Sequence, residues 1–134
     1  MKALLETEGR VTILTLLDQR LDTGNAGEFK RAMTVRLAGK TNVVFDLSGV
    51  KSIDSSGLGA ILFCLRQLNI NGGDLKLCGM MKPVRALFQL VRLHRVIDVY
   101  NTKEEAVHAF LCQRNLTVSD VPGVRMRQQW AAVE

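Results

Sequence analysis

Short apolar runs alternate with helix-spaced apolar stripes along most of this chain. Residues 11–17 are apolar and rich in β-branched side chains, too short a run for a helix, and they predict a strand. Residues 18–22 continue it as a bend into a second short strand. Thr23, Gly24 and Asn25 supply turn and cap chemistry for a helix from Ala26. Ala26, Phe29, Ala32, Met33 and Leu37 form its apolar face, and Gly39 stops it. Residues 42–47 are nearly continuously apolar, as expected of a strand covered on both faces. A loop over 48–52 leads to a second helix, from Ser55 or Ser56 to Ile70. Its stripe is Leu58, Ile61, Leu62, Leu65 and Leu68, with Cys64 at the margin. Asn71, Gly72, Gly73 and Asp74 spell a turn before a strand at 75–78. Lys82 and Pro83 open a third helix, with Val84, Leu87, Phe88 and Val91 facing inward. A short last strand at 98–100 precedes a helix capped by Asn101 or Thr102. Glu104 and Glu105 suit its N-terminal dipole, and Ala106, Val107, Phe110 and Leu111 pack it down. This alternation predicts an α/β layer structure with parallel crossovers.

A chain of 134 residues with 47% apolar and 23% charged residues is expected to form one domain with a single core. The periodicity fades after Cys112, so residues 1–112 are expected to be the domain and 113–134 a C-terminal extension of unknown role. In that extension Arg114, Arg125 and Arg127 stand against Asp120 and Glu134, and Trp130 has either the folded domain or a partner to pack on. The N-terminus turns polar too early for a signal peptide, and no apolar run approaches the roughly 20 residues that span a bilayer. With Cys64, Cys78 and Cys112 widely spaced and odd in number, reduced thiols and a cytoplasmic location are expected, with no membrane insertion. His94 and His108 lack ligand-spaced neighbours, so neither a metal nor a cofactor is expected.

The net charge of +5 is not a continuous basic arm. Lys82, Arg85, Arg92 and Arg95 occupy a stretch without any acid, and Lys30, Arg31, Arg36 and Lys40 face only Glu28. No aromatics interleave with them and no helix-turn-helix or zinc pattern is present, so direct nucleic-acid binding is not expected. They read either as solvated helix faces or as a dock for an acidic partner.

Chemistry concentrates where the central strand passes into the second helix, at Ile53, Asp54, Ser55, Ser56, Gly57, Leu58 and Gly59. The first N–H groups of a helix have no partner within it, and Asp or Ser accepts from them. Gly57 and Gly59 each cost about 1 kcal/mol relative to Ala in a helix interior. They suit either close packing on the sheet or the approach of another backbone to Ser56. No base is evident for a serine nucleophile. The Gly-x-Ser-x-Gly elbow is absent because Asp54 stands at its first glycine, and the lysine of a phosphate-binding loop is missing too. The chain is therefore not expected to be an enzyme.

The run Phe45-Asp46-Leu47-Ser48, followed by Ile53 to Gly59, resembles the core motif of STAS domains of the anti-sigma factor antagonist type. Leu75 to Gly79, Pro83-Val84 and Leu87-Phe88 fall where that family places its next strand and helix. The resemblance implies an α/β fold, a single STAS-type domain with a mixed sheet of about four to five strands and helices packed on it. It also implies phosphorylation at Ser56 by a partner that is both anti-sigma factor and serine kinase, with a phosphatase to reverse it. Asp54, Ser55, Ser56, Gly57, Leu58 and Gly59 would then bind that partner. STAS domains also serve as scaffold or regulatory subunits of transport and stress-signalling assemblies, which is the alternative that the resemblance leaves open.

Overall fold

The computed structural model describes residues 3–113; the expected extension, with Trp130, lies outside them. In chain order the elements are β1 (Ala3–Glu8), β2 (Val11–Leu16), β3 (Arg20–Leu21), α1 (Ala26–Arg36), β4 (Asn42–Asp46), β5 (Ser52–Ile53), α2 (Ser55–Ile70), β6 (Asp74–Cys78), α3 (Lys82–Leu90), β7 (Asp98–Tyr100) and α4 (Lys103–Gln113). The main sheet has the order β1-β2-β4-β6-β7. Strands β2, β4, β6 and β7 run parallel, and β1 pairs antiparallel at one edge, so the sheet is mixed. Beyond it, β3 and β5 form a separate two-residue parallel pair, Arg20 with Ser52 and Leu21 with Ile53.

Strand alternation divides the core in two. Leu14, Leu16, Val43, Phe45, Leu75 and Leu77 face α1, α2 and α3. Val11, Ile13, Val44 and Cys78 face α4, where they meet Ala106, Val107 and Phe110. The sheet is thus covered on both faces, which is why the central strands read as continuous apolar runs. Burial pushes the thiols of Cys64 and Cys78 up to about 12, so both stay protonated near neutral pH and fill space.

Several local expectations need correction. Strand β1 escaped the sequence reading because five of its six residues are exposed, which removes any alternation signal. Strand β5 lies at the end of the stretch expected to be all loop, and its two residues are fixed only by pairing with β3. Cys64, expected at the stripe's margin, is 1% exposed within the main core. Val91 was expected to face inward and is 46% exposed, because α3 ends at Leu90 and Arg92 takes a left-handed turn (φ 61°) into a 3-10 turn over Leu93–Arg95. Leu111 is also exposed, and Ala109 packs in its place. The last helix is capped as expected: Thr102 Oγ1 accepts from Glu105 N, and Glu105 Oε1 accepts from the Asn101 and Thr102 N–H groups.

Lys76 sits in the middle of β6, fully buried on the α4 face. Its Nζ lies 2.8 Å from Asp98 Oδ2 and 3.7 Å from Asp74 Oδ2, and 4.8 Å from the Phe110 ring centroid. Two adjacent strands therefore share an ion pair beneath α4. Breaking such a pair leaves a buried charge, at a cost of roughly 3–5 kcal/mol, whereas replacing both partners by apolar groups is often near neutral. In urea denaturation Lys76→Met is expected to lose stability of that order, and Lys76→Met with Asp98→Leu to recover most of it.

Candidate functional site

The junction ahead of α2 is built from two loops that leave the same end of the parallel sheet. One follows β2 and carries Asp22, Thr23 and Gly24; the other follows β4 and carries Asp54, Ser55 and Ser56. The β3–β5 pair ties them together, helped by Asp54 N donating to the Leu21 carbonyl (3.3 Å). Asn25 shapes the first loop, its Nδ2 donating to the Arg20 carbonyl and its Oδ1 accepting from Asp22 N.

Asp54 is the N-cap of α2, with extended backbone angles (φ −118°, ψ −173°). Its Oδ1 accepts from Gly57 N at 3.0 Å, and its Oδ2 accepts from both the N–H and the hydroxyl of Thr23, each at 3.1 Å. Thr23 Oγ1 lies 3.1 Å from Ser56 Oγ. A threonine hydroxyl has one proton. With that proton on Asp54, the Ser56 hydroxyl is the donor to Thr23, and the three side chains form a chain that ends on the carboxylate. The Gly57 N–H holds the Asp54 carboxyl below its ordinary value, with Thr23 and the Ser56 N–H adding to the effect.

The predicted site residues separate by exposure. Ser55 and Gly59 are exposed, Asp54 and Ser56 are half-buried, and Gly57 and Leu58 are buried. Leu58 turns into the main core. The two glycines differ in kind. A Cβ at Gly57 would meet the Leu21 carbonyl oxygen and Ile53 Cγ1, so the backbone that closes on this glycine is the chain's own β3. A Cβ at Gly59 would meet nothing within 4 Å. The helix start is therefore bare at Gly59 and tightly packed at Gly57. Thr23 is the one site residue that the sequence reading left out. Its place in the sequence is that of turn chemistry for α1, and only its lone hydroxyl beside Gly24 hints at more.

The chain is similar to known proteins in both sequence and fold. The STAS domain family matches residues 2–106. A Bordetella bronchiseptica protein described as a putative anti-sigma factor antagonist, BtrV, is 28% identical over 99 residues, covering 73% of this chain and 85% of that protein. The crystal structure of a putative anti-sigma factor antagonist from Thermotoga maritima superposes with a TM-score of 0.72 at 28% identity, covering 79% of this chain and 92% of that one. The Bacillus cell fate determinant SpoIIAA, solved in its phosphorylated form, shares the fold with a TM-score of 0.60 at 22% identity, covering 80% of this chain and 97% of that one.

Gly57→Ala is expected to force β3 away from α2 and cost about 1–3 kcal/mol. Gly59→Ala, in open space, is expected to gain up to about 1 kcal/mol through helix propensity; paired denaturation curves check both. Because the folded pKa of Asp54 lies below the unfolded value of about 3.9, its contribution is complete above that value and is lost as pH falls through the folded pKa. Carbon-detected titration should place the Asp54 midpoint below about 3.9, and Asp54→Asn should show a shallower loss of stability on acidification.

Proposed function

This chain belongs to the STAS domain family, and we propose that it acts as an anti-sigma factor antagonist whose binding is switched at Ser56. The observation that carries this reading is the Ser56–Thr23–Asp54 chain at the bare start of α2. It presents a half-exposed hydroxyl in one orientation beside a carboxylate. The descriptions of the Bordetella and Thermotoga relatives support the antagonist class.

In the proposed cycle the partner is an anti-sigma factor that is also an ATP-dependent serine kinase. Unmodified, this chain binds it and frees a sigma factor. For modification, Ser56 Oγ attacks the γ-phosphorus of the partner's ATP. The bond to the ADP oxygen breaks, and the hydroxyl proton passes to a base of the kinase. Hydrolysis by a phosphatase restores the serine. This chain supplies the acceptor hydroxyl and its orientation; it is not the catalyst.

The effect of the phosphate follows from the geometry. The ester oxygen can no longer donate to Thr23, and roughly −1.5 to −2 charge arrives close to the Asp54 carboxylate. The macrodipole and N–H groups of α2 offset part of that repulsion, so the fold persists. What changes is the surface: beside Ser55 and Gly59, Ser56 goes from small and neutral to bulky and anionic. Thr23 is a positioning residue in this scheme, because its hydroxyl fixes the rotamer of Ser56.

The test is affinity capture from source-cell lysate with wild-type, Ser56→Ala and Ser56→Asp baits, read by mass spectrometry. A soluble ATP-binding kinase retained by wild type and Ser56→Ala, with at least about tenfold less on Ser56→Asp, is the expected result. Thr23→Val is expected to fold normally and to be phosphorylated several-fold more slowly by the captured kinase. Transporter or scaffold proteins captured equally by all three Ser56 baits would overturn the reading.

A further inference from the structure

The acid-free basic stretch from Lys82 to Arg95 is not used by the switch, and its far end lies at the opposite side of the domain. Ser56 follows the C-terminal end of β4, whereas the segment from Leu90 to Val96 leads into the N-terminal end of β7. In a parallel sheet these are opposite edges. The last residue of α2, Ile70, belongs to the same edge, because the turn after it leads into the N-terminal end of β6. Helices α2 and α3 also cover the same face of the sheet.

Exposed apolar and cationic side chains share this edge. Ile70 is 77% exposed, Leu90 78%, Val91 46% and Val96 50%. Arg92 and Arg95 flank them, and Arg66 lies one turn before Ile70; all three arginines are exposed. The acids near these turns are already engaged, Asp98 and Asp74 both facing Lys76 at 2.8 and 3.7 Å. The backbone is committed to this shape. Arg92 holds a left-handed conformation (φ 61°), uncommon for a residue other than glycine, and it turns the chain so that Leu90 and Val91 stand out ahead of the 3-10 turn.

We propose that this edge is a peripheral docking surface for an anionic lipid bilayer, with Leu90, Val91 and Val96 entering the headgroup layer and Arg92 and Arg95 pairing with lipid phosphates. Two observations favour a bilayer. Leu90, Val91 and Val96 are all exposed within one seven-residue segment, so they can enter an apolar layer together. Arg92 and Arg95 lie between them in the same segment and are exposed too, matching an interface that is anionic outside and apolar beneath. No helix among the described residues is long and apolar enough to cross a membrane, so the contact is superficial. Because Ser56 lies at the other edge, the docked protein still presents its switch to a partner in solution.

The experiment is co-sedimentation of the full chain with vesicles of phosphatidylcholine alone and of phosphatidylcholine mixed with phosphatidylglycerol. Binding only to the mixed vesicles, weakened by added salt, is expected. Leu90→Ser and the pair Arg92→Glu, Arg95→Glu are each expected to lower the partition coefficient by about tenfold or more. These side chains are exposed, so circular dichroism should be unchanged, and capture of the Ser56-dependent partner should also be unchanged. Absence of binding to mixed vesicles, or binding that these variants leave intact, would overturn the proposal. So would sedimentation showing self-association that Leu90→Ser abolishes, since a second copy would then occupy the edge.

Discussion

Everything distinctive about the site depends on how closely the first turn of α2 approaches β3. Only a residue without a Cβ fits at position 57, because the Leu21 carbonyl occupies that space. With the two backbones in contact, Ile53 pairs with Leu21, and the loop after β2 is drawn over the loop after β4. Thr23 and Ser56, 33 positions apart in sequence, come within 3.1 Å as a result. The carboxylate of Asp54 then does two jobs. It caps the helix through Gly57 N and holds the neighbouring loop through Thr23.

Under the proposed switch, the same contact would let a phosphate on Ser56 act at the surface without unfolding the domain. Asp54 already accepts from the Gly57 N–H, so the cap of α2 is in place before any modification. The main core holds α2 along its whole length, from Leu58 through Leu68. Against that packing, repulsion between a phosphate and one half-exposed carboxylate is a modest load, screened in part by water. A partner surface pressed against Ser55, Ser56 and Gly59 has no such relief, since contact excludes the water that would do the screening.

Much of this was legible in the residues. The central strands announce themselves as apolar runs, α2 by its stripe, and the junction by Asp54 and the two serines before paired glycines. What escaped notice was set by pairing across long separations. Strand β1 is an exposed edge with no alternation, and β5 is two residues long, so neither carries a periodic signal. Thr23 looks like any turn residue until β3 and β5 bring it to Asp54. Lys76 is a lone cation in an apolar strand, and its meaning depends on Asp98 in the neighbouring strand. The glycines looked alike in sequence, and only their surroundings show that one is packed and the other open.

The central proposal is a chemical switch at Ser56, held by the packed junction of β3 and α2. The most direct test is intact-mass and fragment-mass analysis of the protein isolated from its own cells and, separately, after incubation with ATP and its captured partner. The account predicts the added mass of one phosphate, localised to Ser56, removed by phosphatase treatment and abolished by Ser56→Ala. A phosphate localised to Ser55 or Thr23, or an unmodified chain in both samples, would contradict it.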